Sequence, residues 1–276
     1  MPNPSLVAGH YTSGNLLAAI EAAVVAQGKT ISSVTVDDLG PADEFHVGGR
    51  IASESFLDQL NITKSDHLLD VGCGLGGTSR FVAKHYGCRV TGIDLTGEFI
   101  ETGKALCRWV GLDDRVDLQQ GSATALPYAD AMFDKAYMMH VGMNIEDKAA
   151  LASNVYRVLK AGGTFGIYDV MQTGDGPLCF PVPWATTSNG SAVDSPARYR
   201  QVLEEAGFEI ITENSRAEFA LEFFAQMAKQ NAAPGGPPPL GLHLVMGEDR
   251  PLKMKNMVEN ISAGRLAPTE IIARKP

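Results

Sequence analysis

The segment that decides the fold of this 276-residue chain is His67-Leu68-Leu69-Asp70-Val71-Gly72-Cys73-Gly74-Leu75-Gly76-Gly77. A short apolar run ends in the carboxylate of Asp70, and a glycine-rich turn follows at once. Residues 78–85 then read as the start of a helix. A strand, a glycine turn and a helix in this order let the backbone approach a ligand closely. The segment therefore predicts a βα unit with a ligand-binding turn.

The spacing Gly72-x-Gly74-x-x-Gly77 fits the dinucleotide-binding fingerprint, but two features indicate a different ligand. Asp70 lies at the end of the strand, where a negative charge would face a pyrophosphate unfavourably and an ammonium group favourably. Gly76 adds a tighter Gly-x-Gly-x-Gly turn. A βα turn that binds nothing is the alternative interpretation, and several further segments argue against it.

A second acidic residue follows the next predicted strand. Residues 89–94 end in Asp94, about twenty residues beyond the first glycine of the turn. In a doubly wound sheet the carboxyl ends of neighbouring strands meet at one edge, so this carboxylate is placed to accept both hydroxyls of a ribose. The structural alternative is a helix N-cap. The pair of acids favours a ribose-bearing ligand without identifying it.

Further motifs occur in the order of a known family. Arg157-Val158-Leu159-Lys160-Ala161-Gly162-Gly163 and Leu126-Pro127-Tyr128 each precede a predicted strand. With the acidic glycine motif, they make about residues 60–212 resemble the class I S-adenosylmethionine-dependent methyltransferases. The segments Phe45-His46-Val47-Gly48-Gly49 and Pro181-Val182-Pro183-Trp184 are most similar to the sarcosine/dimethylglycine and ubiquinone/menaquinone-biosynthesis methyltransferases.

This resemblance implies an α/β fold with a Rossmann-like, doubly wound sheet of seven strands, the last of them antiparallel. It divides the chain into a helical N-terminal cap, residues 1–60, and an S-adenosylmethionine-binding methyltransferase domain, residues 61–276. Insertions at 170–195 and 215–264 interrupt that domain, and the second fits a lid or a dimer surface. The Met-rich helix near residues 252–261 is interpreted as core rather than as a substrate wall.

The resemblance also implies the residues that bind S-adenosyl-L-methionine. Asp70 and the glycine turn would hold its methionine end, and Asp94 its ribose. The family usually has an acid at position 122, and Ser122 would accept the adenine amino group more weakly than a carboxylate. The predicted cofactor-binding set is Tyr11, Asp70, Gly72, Cys73, Gly74, Gly76, Asp94, Leu95, Thr96, Ser122, Ala123 and Met139.

The acceptor is expected beside the carboxyl end of the fourth strand. His140 follows that strand, and histidine titrates near neutrality, so His140 is the candidate base or acceptor-orienting group. A packed or capping histidine is the alternative. The predicted substrate-binding residues are Phe45, His46, Tyr168 and Trp184.

The predicted function is transfer of the sulfonium methyl group to a small-molecule acceptor, with an amine nitrogen preferred. The alternative within the family is C- or O-methylation of a natural-product or quinone-like acceptor. Two alternatives lie outside that activity: an NAD-dependent oxidoreductase, and a binding protein that has kept the cofactor fold without its chemistry. Asp70 and an antiparallel last strand argue against the oxidoreductase.

Composition limits the partners. The formal net charge of −9 argues against general binding to a nucleic-acid backbone. The four cysteines are scattered without a Cys-x-x-Cys, which predicts free thiols and no metal site. Neither a signal peptide nor a membrane span is predicted. We therefore expect a cytoplasmic enzyme with no membrane or nucleic-acid partner, with a homodimer left open.

Overall fold

Strands and helices alternate along most of the chain. The computed structural model describes Gly9, Thr12 and residues 14–231, 238–246 and 249–276. The strands are β1 (His67–Val71), β2 (Arg89–Asp94), β3 (Val116–Gln120), β4 (Phe133–Met139), β5 (Leu159–Gln172), β6 (Glu209–Ser215) and β7 (Leu266–Arg274). The helices are α1 (Leu16–Ala26), α2 (Val36–Asp43), α3 (Gly49–Asp58), α4 (Gly77–Tyr86), α5 (Gly97–Trp109), α6 (Lys148–Val158), α7 (Pro196–Ala206), α8 (Ala217–Asn231), α9 (His243–Met246) and α10 (Arg250–Ser262).

The seven strands form one sheet in the order β3-β2-β1-β4-β5-β7-β6. β1 to β5 pair in parallel, whereas β7 lies antiparallel between β5 and β6. Burial explains these places: eight of the nine residues of β7 are buried, as an inner strand requires, and β6 is mostly exposed at the edge. The predicted doubly wound α/β sheet with an antiparallel last strand is confirmed.

The turn after β1 needs its glycines for two reasons. Gly72, Gly74 and Gly76 all have positive φ, which a residue with a Cβ adopts only with strain. Gly72 is also crowded, because a Cβ there would overlap the side chain of Val141. The turn therefore brings the carboxyl ends of β1 and β4 into direct contact, and ligands of open α/β sheets bind at this edge.

Helix α2 ends directly above this turn. A capping box between Thr35 and Asp38 starts the helix. At its other end Asp43 accepts a hydrogen bond of 2.6 Å from Arg80 of α4, and both side chains are fully buried. A Cβ on Gly77 would overlap Asp43, so the close approach also depends on that glycine. The pair ties the N-terminal helices to the turn, while the proposed domain boundary at residue 60 stays a prediction.

The segments predicted as insertions pack together on one side of the sheet edge. The only helix in residues 173–195 is the short 3-10 helix Ser188–Gly190. Helices α8, α9 and α10 follow β6 and precede β7 along the chain. An apolar cluster joins both segments to the end of β5, and it includes Val170, Trp184, Phe224 and Met257. No helix within the described ranges is long and apolar enough to cross a membrane.

Candidate active site

A cavity of about 230 Å³ lies at the carboxyl ends of β1, β2 and β4. Most of the residues predicted to form the site line it: Phe45, His46, Asp70, Gly72, Cys73, Gly74, Asp94, Leu95, Thr96, Ser122, Ala123, Met139, His140 and Trp184. Gly76 does not line it and instead caps the start of α4. Tyr11 lies outside the described residues. The cavity therefore brings together segments that the sequence predicted only one by one.

Asp70 lies at the bottom of the glycine turn and is almost completely buried, with 3% of its surface exposed. One carboxylate oxygen, Oδ2, accepts hydrogen bonds from Ser79 Oγ at 2.6 Å and from Tyr137 Oη at 3.0 Å. Burial raises the pKa of Asp70 to about 7, although both hydrogen bonds lower it. A cationic group brought next to Asp70 would stabilise its ionised carboxylate and lower its pKa.

Asp94, at the end of β2, organises the turn from the other side. Its Oδ2 accepts from the Gly74 amide at 3.0 Å and its Oδ1 from the Thr96 amide at 2.8 Å. Burial raises the pKa of Asp94, and these backbone hydrogen bonds oppose that rise. Each carboxylate oxygen has a second lone pair, so the residue can also accept from a diol. The N-cap of α5 is Thr96, so Asp94 does not take the helix-cap role that the sequence left open, and it lies on the cavity wall instead.

Ser122 and Ala123 line the cavity beyond Asp94. The Ser122 hydroxyl lies 2.8 Å from Thr124 Oγ1 and accepts a hydrogen bond of 3.2 Å from the Thr124 amide. Part of its accepting capacity is therefore used inside the loop. This arrangement agrees with a weaker contact to an amino group than an acid at this position would make.

Asp43 is a second buried acid next to the glycine turn, and it was not predicted from the sequence. Its Oδ1 is paired with Arg80, but its Oδ2 is buried without a hydrogen-bond partner among the described residues, and the residue lines the cavity. Burial raises the pKa of Asp43, while Arg80 lowers it. Only its position in α2 brings it to the turn, and no local sequence pattern indicates that packing.

His140 follows β4 with a left-handed backbone, φ 55°. A non-glycine residue in this conformation is uncommon and is often found at functional sites. The Val47 amide donates to His140 Nε2 at 3.3 Å, whereas Nδ1 is buried without a partner in the described part of the chain. Burial lowers the pKa of His140 well below its usual value, and the neighbouring His46 lowers it further. His140 is therefore neutral near pH 7.

His46 also lines the cavity, with 4% of its side chain exposed. Its Nε2 is 2.9 Å from Ser53 Oγ and 3.2 Å from the Gly49 carbonyl oxygen. Ser53 in turn donates to Glu44 Oε2 at 2.8 Å. Burial lowers the pKa of His46 to about 4, so this ring is neutral too. The sequence placed His46 in the site without predicting its link to Glu44.

Tyr168 supports the site rather than lining it, which corrects the prediction that it binds substrate directly. The side chain is fully buried behind His140, with 4.9 Å between the ring centroids, and its hydroxyl donates to the Val47 carbonyl oxygen at 2.9 Å. Tyr168 is buried because it lies in the middle of β5, one of the inner strands of the sheet. It holds the His46 segment against His140.

The remaining walls of the cavity are mostly apolar. Trp184 lines it and fixes its indole by donating to Ser191 Oγ at 2.9 Å. The other apolar lining residues on this side are Phe45, Val47, Met143, Val170, Phe223, Phe224, Met227, Leu242, Val245, Met246, Met254 and Met257. Among the described lining residues there is no lysine or arginine. Helix α10 was predicted to be core rather than a substrate wall. Met257 is buried as predicted, but Met254 and Met257 also line the cavity, so the prediction is wrong in excluding the wall.

Comparison with known proteins identifies similar sequences. A family described as "Methyltransferase domain" matches residues 69–167. Sterol 24-C-methyltransferase of Eremothecium gossypii is 34% identical over 198 residues, which are 66% of this chain and 53% of that protein. Sarcosine/dimethylglycine N-methyltransferase of Halorhodospira halochloris is 30% identical over 146 residues, 53% of this chain and 52% of that protein. The chain thus spans about half the length of these two curated relatives.

The fold also matches solved structures. Geranyl diphosphate C-methyltransferase from Streptomyces coelicolor A3(2), in complex with Mg²⁺, geranyl-S-thiolodiphosphate and S-adenosyl-L-homocysteine, superposes with a TM-score of 0.72. The match covers 100% of this chain and 99% of that one at 18% sequence identity. At this identity the likeness shows a shared fold.

Proposed function

The chain belongs to the class I S-adenosylmethionine-dependent methyltransferases, and we propose that it transfers the sulfonium methyl group of that cofactor to an apolar small molecule. The family predicted from the sequence is thereby confirmed. One observation carries the proposal: a single cavity joins the acidic glycine turn, at Asp70 and Asp94, to a chamber with apolar walls around Trp184.

The residues present fit the cofactor of this family. Asp94 offers carboxylate lone pairs to a ribose, and Asp70 and Asp43 offer two buried carboxylates to an ammonium group. A Cβ at Gly74 would meet no protein atom within 4 Å, so the backbone there faces open space. When it is bound, S-adenosylmethionine supplies an electrophilic methyl group with a good leaving group.

The apolar walls favour an acceptor with a hydrophobic body. An acceptor that carries a carboxylate or phosphate would meet no basic side chain in the described lining. The sterol 24-C-methyltransferase relative has by name a largely apolar substrate, which agrees with these walls. The amine nitrogen preferred from the sequence stays a prediction, and the lining supports the alternative of a carbon or oxygen acceptor at least as well.

The residues of the chain would act by positioning and by excluding water. Apolar walls such as Trp184 and Met257 hold the acceptor body and keep solvent from the reacting atoms. The bond between the Val47 amide and His140 Nε2 orients the imidazole on the wall. Alignment of a nucleophile against a preformed electrophile contributes on the order of several kcal/mol to such reactions.

Calorimetry with S-adenosylhomocysteine and with NAD, followed by a methyl-transfer assay with S-adenosylmethionine, tests this proposal. We expect micromolar binding of S-adenosylhomocysteine, no detectable binding of NAD, and formation of S-adenosylhomocysteine on incubation with apolar acceptors. Binding of NAD alone would support the oxidoreductase alternative. Binding of S-adenosylmethionine without turnover across apolar hydroxyl, amine and alkene acceptors would support the binding-protein alternative.

A further inference from the structure

Two neighbouring histidines line the cavity. His46 belongs to the segment before α3 and His140 to the loop after β4, and both line the cavity. Their ring centroids are 5.9 Å apart. The hydrogen-bonding partners of each ring determine which of its two nitrogens carries the proton and which carries the lone pair.

His46 presents an acceptor. Ser53 Oγ donates its proton to Glu44 Oε2, so it accepts from His46 Nε2, and the Gly49 carbonyl oxygen beside it can only accept. Nε2 therefore carries the proton of the neutral ring. Nδ1 therefore carries the lone pair of the neutral ring.

His140 presents a donor. The Val47 amide can only donate, so His140 Nε2 carries the lone pair and Nδ1 carries the proton. This Nδ1–H is buried without a partner among the described residues. A buried donor left unpaired costs on the order of 1–3 kcal/mol, which a hydrogen bond donated to an acceptor on a bound molecule would recover. The tautomer also means that the free nitrogen of His140 cannot act as a base.

We propose that the two histidines recognise a hydroxyl group on the apolar acceptor, and that His46 takes its proton as the oxygen is methylated. The inference rests on the proposed function. The hydroxyl oxygen accepts from His140 Nδ1–H and donates to His46 Nδ1. The O–H bond breaks and its proton moves to His46 Nδ1, an oxygen–methyl bond forms, and the methyl–sulfur bond breaks with its electron pair left on sulfur.

The chain has a built-in partner for the positive ring that results. The proton on His46 Nε2 points to Ser53 and to Glu44 Oε2, which lies 3.3 Å from Nε2. Arg50 is in ion-pair contact with the other carboxylate oxygen of Glu44, at 2.7 Å, without hydrogen-bond geometry. Glu44 is thus a positioning residue, held in place to face an imidazolium through Ser53. The sequence predicted His140 as the candidate base or acceptor-orienting group, and the tautomers favour His46 as the base instead.

Three matched probes test the inference: 4-tert-butylphenol, 4-tert-butylaniline and 4-tert-butyltoluene. Their affinities are measured by calorimetry on the full chain saturated with S-adenosylhomocysteine, and turnover of the phenol is measured with S-adenosylmethionine. We expect the phenol to bind about tenfold more tightly than the toluene and to be the only probe methylated at oxygen. Equal affinities, tighter binding of the aniline, or no binding of the phenol would each overturn the inference.

Glutamine variants separate the two rings. His46→Gln and His140→Gln each keep a polar group near the Nε2 position and remove the group at Nδ1. We expect His46→Gln to lower kcat for the phenol about 100-fold, and His140→Gln chiefly to raise its KM about tenfold. Glu44→Gln should lower kcat and leave the affinity for the phenol unchanged. Unchanged kinetics in both histidine variants would contradict the assignment.

The affinity for S-adenosylhomocysteine distinguishes the two possible failures. All three variants should bind it as the wild type does, which also shows that they fold. If the wild-type chain does not bind it, the proposed function fails. If the wild type binds it and shows no preference for the hydroxyl probe, only the present inference fails.

Discussion

The two ends of the cavity differ in chemistry and in origin. The end that we propose binds the cofactor, the cofactor end, contains the buried acids Asp43, Asp70 and Asp94, and most of it comes from residues 70–96. The end that we propose binds the acceptor, the acceptor end, has apolar walls from segments as far apart as Val47 and Met257. Burial raises the pKa values of all three acids, so their ionised forms destabilise the fold. The apolar walls stabilise it.

This comparison predicts that the two ends respond differently to mutation. A change at the acidic end should weaken the binding of the cofactor without lowering the stability of the fold. A change at the apolar end should do the reverse. The experiments below follow this contrast from the largest expected effect to the smallest.

Removing an apolar wall residue should have the largest effect. Phe224 of α8 lines the cavity and is 5% exposed in the cluster with Trp184 and Met257. We expect Phe224→Ala to lower the free energy of unfolding by about 3 kcal/mol, because it removes buried apolar contacts and leaves a void. Denaturant titration measures this loss.

A matched control lies on the neighbouring helix. Leu252 is 49% exposed, so Leu252→Ala should change the stability by less than about 0.5 kcal/mol. The affinity of Phe224→Ala for S-adenosylhomocysteine should stay within threefold of the wild type. A much larger loss of affinity would show that the two ends are not independent.

Removing the charge of Asp94 should affect the cofactor most. We expect Asp94→Asn to weaken binding of S-adenosylhomocysteine about 100-fold, or about 2.7 kcal/mol, because charge-assisted hydrogen bonds to the ribose are lost. Asp117→Asn on the exposed face of β3 is the control and should bind normally. A variant that binds within threefold of the wild type would exclude Asp94 as the ribose ligand.

The pH dependence of stability should report the buried charge of Asp70. Its pKa is about 7 in the folded chain against an ordinary value of 3.8, so the folded state holds a proton that the unfolded state has released between these pH values. The free energy of unfolding therefore falls as pH rises through this window. Relative to the wild type, Asp70→Asn should gain about 2 kcal/mol between pH 5 and pH 7.5. Parallel pH profiles would contradict this.

A stronger acceptor at position 122 should have the smallest effect. Ser122 lines the cavity, but its hydroxyl is already engaged with Thr124. We expect Ser122→Asp to tighten binding of S-adenosylhomocysteine about fivefold, because a carboxylate accepts from an amino group more strongly than a hydroxyl does. Ser122→Ala serves as the control and should weaken binding by less than fivefold. Weaker binding by the aspartate variant would place the adenine elsewhere.

The cofactor end was largely predictable because its information is local. The acid and glycines of one turn, and the acid that ends the next strand, meet once the strands are parallel neighbours. Asp70, Gly74, Asp94 and Ser122 all line the cavity as predicted. Gly76 is the exception, because its positive φ serves the start of α4.

The acceptor end was less predictable because tertiary packing assembles it. At the cofactor end, Asp43 was missed for the same reason, because helix packing and its buried pair with Arg80 bring it to the turn. Tyr168 has the residue type of a substrate ligand, yet its place in an inner strand buries it behind His140. The roles of the two histidines depend on which groups face each nitrogen, and a linear sequence does not contain that information.

The central claim is that a buried carboxylate at the end of β1 binds the ammonium group of the cofactor. Calorimetry of S-adenosylhomocysteine binding at pH 7, in buffers of different ionisation enthalpy, tests it most directly on wild type and Asp70→Asn. The account predicts that the wild type releases a fraction of a proton on binding, since the cation lowers the pKa of Asp70. It predicts that Asp70→Asn binds S-adenosylhomocysteine at least about tenfold more weakly and releases no proton. Equal affinity and equal proton release in the two proteins would contradict it.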